Sequence, residues 1–402
     1  MTAPLHGMVD VDVADVHRNG VRVARLVRRP TSVEFAYLPD TPPQLAVATT
    51  LPVGGDVVVT PGRAVPPYFA GLLPEGRRLT ALRTALKTSA DDDFAMLLAV
   101  GADPVGDVQV VPAGEPCPPF VTSDETAPSL EQASFAELFA TATGVSPDRV
   151  GLAGVQDKVS GRMISLPVTL RRTAAILKLD PPEFPHLVEN EAFFLGVARD
   201  CGVRTTATRV VHDRDGRPGL LVERFDRVAD EEGVRGLPVE DGCQASGRYP
   251  GDKYALSSEA VATTLADLCR ARPVAALDIF RQFVVAIATG NGDLHAKNLS
   301  IVRRDGEWTV APAYDVPSSY PYGDATLAMS IAGSREGQVS RKRLLAFADA
   351  IGLRERAASM TIDATIDAVT PWIDRVDRLP FDDRRIHDLR RFMSSRLQLL
   401  GR

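Results

Sequence analysis

The densest polar cluster of the 402-residue sequence is Gly290-Asn291-Gly292-Asp293-Leu294-His295-Ala296-Lys297-Asn298, set between an apolar helical run and a strand-like one. Asp293 and Asn298 stand five apart. A carboxylate to meet a hydroxyl nucleophile and a neutral oxygen ligand for Mg²⁺ are what phosphoryl transfer asks of such a loop. On its own D-x-x-x-x-N is a weak signal. A second acid strengthens it: Leu299–Arg303 and Trp308–Ala313 read as strands around the turn Arg304-Asp305-Gly306, and this hairpin returns Asp315 to the loop, 22 residues after Asp293. The expectation is a metal held by Asn298 and Asp315, with Asp293 facing the nucleophile. An Asp ahead of Pro317 also suits a plain turn cap.

Phosphoryl transfer further needs a phosphate cradle and an anchoring cation. Gly151-Leu152-Ala153-Gly154-Val155-Gln156-Asp157-Lys158 is a small-residue turn before a strand, with backbone N–H groups available to anionic oxygens. It matches neither GxGxxG nor GxxxxGK[ST], so on its own it reads as a simple hairpin turn. Lys178 interrupts the apolar strand Ala174–Leu179, and an ammonium there requires a partner or a ligand. Glu191, thirteen residues on in the next helix, is the candidate partner. An edge-strand lysine reaching solvent is the alternative. The run Leu220 to Asp226 ends the last strand of this region, where a connecting segment would meet an adenine edge.

These side chains depend on elements legible in the pattern. Val-rich runs at Val9–Val13, Val21–Leu26, Val33–Tyr37 and Val57–Thr60 predict a small antiparallel sheet, followed by helical periodicity from Pro66 to Ala102. Pro112–Ser129, with five prolines, reads as a linker. Beyond it come a short helix at Phe135–Thr143, strands at Val159–Leu166 and Thr173–Leu179, and a helix at Asn190–Asp200 closed by Gly202. Strands at Thr208–His212 and Gly219–Glu223 follow. After Phe225 the chain reads as mostly helical, with helices at Ser257–Arg270, Val274–Gly290 and Arg341–Ile351 and two more before Arg402.

Composition is that of an ordinary globular chain: 45% hydrophobic, 24% charged and a net charge of −6. That acidity disfavours a protein whose affinity rests on wrapping phosphates, although the end from Asp377 holds seven Arg against four Asp. Cysteines 117, 201, 243 and 269 form no CxxC pair, and neither a membrane-length apolar run nor a secretory leader is recognisable. The expected location is the cytoplasm, with no membrane partner.

Taken in order, Leu152-Ala153-Gly154-Val155-Gln156-Asp157-Lys158, Ile176-Leu177-Lys178, Glu189-Asn190-Glu191, Val222-Glu223-Arg224-Phe225-Asp226, Gly292–Asn298 and Ala313-Tyr314-Asp315 resemble the HipA family of serine/threonine kinases, toxins of bacterial toxin–antitoxin systems. Leu327–Ile331 and Phe69–Gly76 extend the likeness over nearly the whole chain. The resemblance implies an α+β, protein-kinase-like bilobal fold: an N-terminal β-rich subdomain at 1–125, an ATP-binding lobe at 146–225 and a mostly helical C-terminal lobe at 226–402. It implies Asp293 as general base with His295 and Lys297 in the catalytic set, His295 orienting phosphate or the loop or serving as a hydrogen-bonded structural residue. Asn298 and Asp315 would be magnesium ligands. Lys178, paired with Glu191, would meet ATP phosphates, Ala153, Gly154, Val155, Gln156, Asp157 and Lys158 would form the phosphate loop, and Glu223, Arg224, Phe225 and Asp226 would hold adenine and ribose.

Family members phosphorylate a serine of a target protein, in some cases an aminoacyl-tRNA synthetase, and are neutralised by a small helix-turn-helix antitoxin through which they reach DNA. One departure stands out. The family often carries an autophosphorylated serine ahead of the phosphate loop, where this chain has Gly151, with Ser146 and Ser160 nearby. Control through the partner, or through another hydroxyl, is expected instead. Competing readings are a small-molecule phosphotransferase of the aminoglycoside or choline type and a catalytically dead co-repressor scaffold.

Overall fold

The computed structural model describes residues 5–89, 91–120, 130–143, 163–170, 173–231 and 233–402. An N-terminal module is built on β1 (Val13–Arg18), β2 (Val21–Arg28), β3 (Ser32–Tyr37), β4 (Val58–Pro61) and β5 (Val108–Pro112), in the antiparallel order β4-β3-β2-β1-β5. Asn19 and Gly20, both at positive φ (44° and 80°), supply the two-residue turn that joins β1 to β2. Helices α1 (Pro67–Ala70), α2 (Gly76–Leu86) and α3 (Asp93–Val100) intervene before β5, and Phe35, Tyr68, Phe69, Phe94 and Leu97 fill the module's own core. The strand expected at Val9–Val13 is displaced. Leu5–Asp10 is a 3-10 turn and β1 begins at Val13, because β2 offers ladder partners only from Val13 onward. Before that point Arg28 satisfies the Val9 carbonyl and the Asp12 carboxylate instead.

The second layer opens with α4 (Phe135–Thr143) and continues with β6 (Ile164–Leu170), β7 (Thr173–Leu179), α5 (Leu187–Asp200), β8 (Thr208–His212) and β9 (Pro218–Glu223), its sheet ordered β6-β7-β9-β8. The pleat of β7 sorts its side chains between two cores. Ala175, Leu177 and Leu179 pack with Phe135 and Phe139 of α4, and the intervening Ile176 joins the core that contains α5. Lys178 falls on the α5 side by the same alternation. Gly219 permits the close approach of α4, since a Cβ there would lie 2.7 Å from the Phe135 ring.

Beyond Phe225 the chain is less helical than expected. Three unexpected short strands intervene, β10 (Arg227–Asp230), β11 (Gly233–Gly236) and β12 (Val239–Asp241): β10 pairs with β11, and β12 pairs with the expected β13 (Ser300–Arg304), which in turn pairs with β14 (Glu307–Val310). Their partners are too distant, or the runs too short, to leave a local period. Asp305 and Gly306, at φ 50° and 82°, make the turn between β13 and β14. The helices are α6 (Gly242–Ala245), α7 (Ser258–Leu268), α8 (Arg272–Thr289), α9 (Arg341–Ala350), α10 (Glu355–Ile373) and α11 (Asp383–Gly401). In α8 every residue from Phe283 to Thr289 is buried, so this helix forms the centre against which the others pack. Among the described residues no helix is long and apolar enough to cross a membrane.

Candidate active site

Helix α8 ends at Gly290, whose φ of 73° serves as a left-handed cap, and the chain turns there into the polar loop. No larger residue fits: a Cβ at Gly290 would lie 2.6 Å from the Phe392 ring, and one at Gly292 would lie 2.6 Å from both Ser319 Oγ and the Thr326 carbonyl. The loop is thereby pressed against segment 319–326. Asp293 is fully buried at 0% exposure. Its amide donates to Asn291 Oδ1 at 3.0 Å, its carbonyl accepts from Asn298 Nδ2 at 2.9 Å, and its carboxylate Oδ1 accepts from the Tyr254 hydroxyl at 3.1 Å. His295, also buried, packs in a T-shaped contact with the same Tyr254 ring, with centroids 5.2 Å apart.

Lys178 donates to Glu191 Oε1 at 2.6 Å, to the Tyr314 carbonyl at 3.1 Å and to Asp315 Oδ1 at 3.4 Å. Burial pushes the Glu191 carboxyl up, opposed by the adjacent ammonium. For Lys178 burial acts against the charge, and Asp315 with Glu191 outweighs it, so the ammonium stays above its ordinary value. The hairpin delivers Asp315 as the spacing predicts. Tyr314 is anchored through its hydroxyl to the Lys297 carbonyl at 2.5 Å and to Ser300 Oγ at 2.8 Å, while Asn190 of α5 bonds both the amide and the carbonyl of Ser318. Asn298 and Asp315 line one small cavity together with Asn291 and Leu294. Asp293, Asn298, Asp315, Lys178 and Glu191 are thus brought into one connected region.

Other expected site residues are placed differently. Arg224 and Asp226 bond each other at 2.8 Å, and Arg224 also holds Asp103 and the Pro104 carbonyl while Asp226 accepts from the Gly106 amide. Arg227 joins the same cluster through Asp226, Asp103 and Gly106. These side chains fasten the N-terminal module to the segment after β9. Glu223 is exposed, and its carbonyl accepts from Thr206 Oγ1 at 2.6 Å. Phe225 stacks on Tyr314 with centroids 5.7 Å apart. Lys297 is bound to the Gly71 carbonyl at 3.0 Å and to Asp241 at 3.2 Å. The loop Ala153 to Lys158, with Gly151, Ser146 and Ser160, lies outside the described residues. Tyr254 was not singled out from the sequence, because it sits 39 positions from Asp293 in a loop with no motif of its own.

The donor set suits a hard divalent cation. Asn298 spends its amide nitrogen on the Asp293 carbonyl, which turns its oxygen to the other side, and Asp315 adds a carboxylate across the shared cavity. No group of three or more His, Cys, Asp or Glu side chains suited to a metal occurs among the described residues. Magnesium needs no such cage, since it takes one or two protein oxygens and completes its shell with phosphates and water.

Comparison with known proteins agrees with this architecture. Residues 150–373 match the family model described as the HipA-like C-terminal domain, and residues 14–111 match the HipA N-terminal domain. Y4mE of Sinorhizobium fredii is 31% identical over 389 residues, covering 87% of this chain and 90% of its own. The serine/threonine-protein kinase toxin HipA of Shewanella oneidensis is 28% identical over 314 residues, 71% of each chain. The solved structure of Shewanella oneidensis HipA, in complex with HipB and operator DNA, superposes with a TM-score of 0.77 at 22% identity over 96% of both chains. That likeness makes the fold the α+β, kinase-like one of HipA. By the span of the two family models and the identity to Y4mE, the chain belongs to the HipA family.

Proposed function

We propose that the chain is an ATP- and Mg²⁺-dependent serine/threonine protein kinase acting as the toxin of a toxin–antitoxin pair. The observation that carries this reading is the 2.6 Å pair of Lys178 and Glu191, tied by the same ammonium to Asp315. A strand lysine held by a helix glutamate, beside a metal-type acid, is the arrangement that fixes nucleotide phosphates in kinases. Asp293 accepts the proton of the incoming serine hydroxyl as the new O–P bond forms and the bond to the leaving diphosphate breaks. Tyr254 and Asn298 hold that carboxylate and its backbone in place. Asn298 and Asp315 would hold magnesium, which when bound would neutralise charge on the phosphate oxygens. Lys178 positions the phosphates.

The finer assignments rest on the family resemblance. Ala153 to Lys158 is the phosphate loop, residues 146–225 are the ATP-binding lobe, and 226–402 the catalytic lobe. The substrate is a translation protein of the aminoacyl-tRNA synthetase class. A helix-turn-helix antitoxin neutralises the chain and links it to DNA, which fits a net charge of −6 and the HipB–DNA complex of the Shewanella relative. Radiolabel transfer from the terminal phosphate of ATP to proteins of a cell lysate tests the reading. Labelling of a discrete protein, lost in Asp293→Asn, is expected. Turnover confined to small alcohols, or growth arrest unchanged by Asp293→Asn, overturns it.

A further inference from the structure

We propose that the N-terminal module completes the catalytic loop, with Glu75 as a positioning residue acting through Lys253 and Lys297. This rests on the kinase reading above and adds a component from outside the kinase-like domain. Glu75 Oε2 accepts from Lys253 Nζ at 2.8 Å, and Glu75 Oε1 stands 3.9 Å from Lys297 Nζ. Each lysine is the chain neighbour of a residue that holds Asp293. Lys253 precedes Tyr254, the donor to the Asp293 carboxylate; Lys297 precedes Asn298, the donor to the Asp293 carbonyl. The Lys253 carbonyl also accepts from the Ala296 amide at 3.2 Å, within the loop itself. One carboxylate thus fixes both sides of the base.

The segment bearing Glu75 is built for this contact. A Cβ at Gly71 would lie 2.7 Å from the Gln244 side chain, which donates to the Tyr68 carbonyl at 2.9 Å, so the end of α1 packs directly against α6. The Gly71 carbonyl then receives Lys297. Glu75 occupies the N-cap position of α2 but makes no side-chain capping bond, its carboxylate going to the lysines instead. Immediately beyond, Arg77 pairs with Glu183 at 2.9 Å and Arg78 donates to the Ser165 carbonyl at 2.7 Å. Eight residues therefore reach from the catalytic loop to the β6 edge of the four-stranded sheet. Both lysine side chains are largely buried (16% and 12% exposed), and removing Glu75 takes the only paired carboxylate from Lys253 among the described contacts.

The test uses the full-length chain, with kcat, KM for ATP and thermal midpoint measured for Glu75→Gln and Lys253→Met. Sub-ångström displacement of a base is expected to lower kcat about 10- to 100-fold in each, with KM for ATP held within about threefold. The double variant is expected to lose no more than Glu75→Gln alone, because that change already breaks the contact with Lys253. Glu34→Gln, an exposed pair with Arg29 in the same module, serves as the unchanged control. Wild-type kcat in a folded Glu75→Gln overturns the inference, as do losses that multiply in the double variant. If one variant fails to fold, the other carries the same comparison. A wild-type protein that transfers no phosphate refutes the kinase reading itself, a result distinguishable from an active wild type matched by active variants.

Discussion

Tyr254 donates its hydroxyl to Asp293 Oδ1 at 3.1 Å and packs its ring at a steep 77° angle against that of His295. One aromatic residue from a loop ahead of α7 therefore sets the rotamer of the candidate base and walls its neighbour. Tyr254→Phe keeps the ring and removes only the hydrogen bond. A bond to a charged acceptor contributes about 1.5–3 kcal/mol, so Tyr254→Phe is expected to lower the thermal midpoint by a few degrees and kcat roughly 10- to 100-fold. Steady-state kinetics with a protein substrate check this; unaltered kcat would leave Tyr254 a packing residue.

The Lys178–Glu191 pair separates stability from activity. Lys178→Met leaves the fully buried Glu191 without its counter-charge, and destabilisation of about 3–5 kcal/mol is expected. Changing Glu191 to Met as well removes the orphaned carboxyl, so the double variant recovers most of that stability while phosphoryl transfer stays lost. Urea denaturation alongside a nucleotide-binding measurement reads both. A double variant no more stable than Lys178→Met contradicts the ion-pair argument.

Glu240 predicts a pH dependence. Burial pushes its carboxyl from an ordinary 4.5 to about 7, although Thr49 of the N-terminal module donates to both oxygens at 2.7 and 2.8 Å. A raised folded-state value means that the native protein binds the proton more tightly than the unfolded chain. Its contribution therefore falls as pH rises from about 4.5 through 7 and stays low above that. Glu240→Gln cannot ionise, so the stability difference between variant and wild type should grow over this window, by up to roughly 3 kcal/mol. Denaturation curves at pH 5 and pH 8 test it, and a difference independent of pH would show that the carboxyl titrates normally.

The cluster that joins the N-terminal module to β10 makes a contrast between two acids. Asp226 is buried against Arg224 and Arg227, whereas the Asp103 side chain is 50% exposed. Asp226→Ala is expected to cost about 3–5 kcal/mol, Asp103→Ala no more than about 1 kcal/mol. Equal losses at the two positions would mean that burial does not govern this cluster.

How far the sequence reaches depends on how local each signal is. The helix Phe135–Thr143 and the strands β7 and β8 lie where alternation and turn residues place them, and the Asp305-Gly306 turn brings Asp315 home. Lys178 was legible because an ammonium in an apolar strand demands an explanation within a few residues. Strands β10 to β12 were not, since β12 finds its partner sixty residues later and is only three residues long. Glu75 meets Lys253 across 178 positions, a distance over which no periodicity operates. Arg224 and Asp226 looked like ligand-holding residues. Their buried, mutually neutralising arrangement with Asp103 is visible only once the module is docked.

The Gly71–Arg78 strap bears on inheritance as well as on chemistry. A module that grips both the catalytic loop and the β6 edge cannot be exchanged between relatives as a free-standing cassette. Recombination that brings a foreign N-terminal segment must also bring lysines at 253 and 297 to meet it, and a matching carboxylate for Arg77. Chimeras joined in the 112–129 stretch should therefore fail more often than their sequence identity suggests, and substitutions at 75, 253 and 297 should travel together.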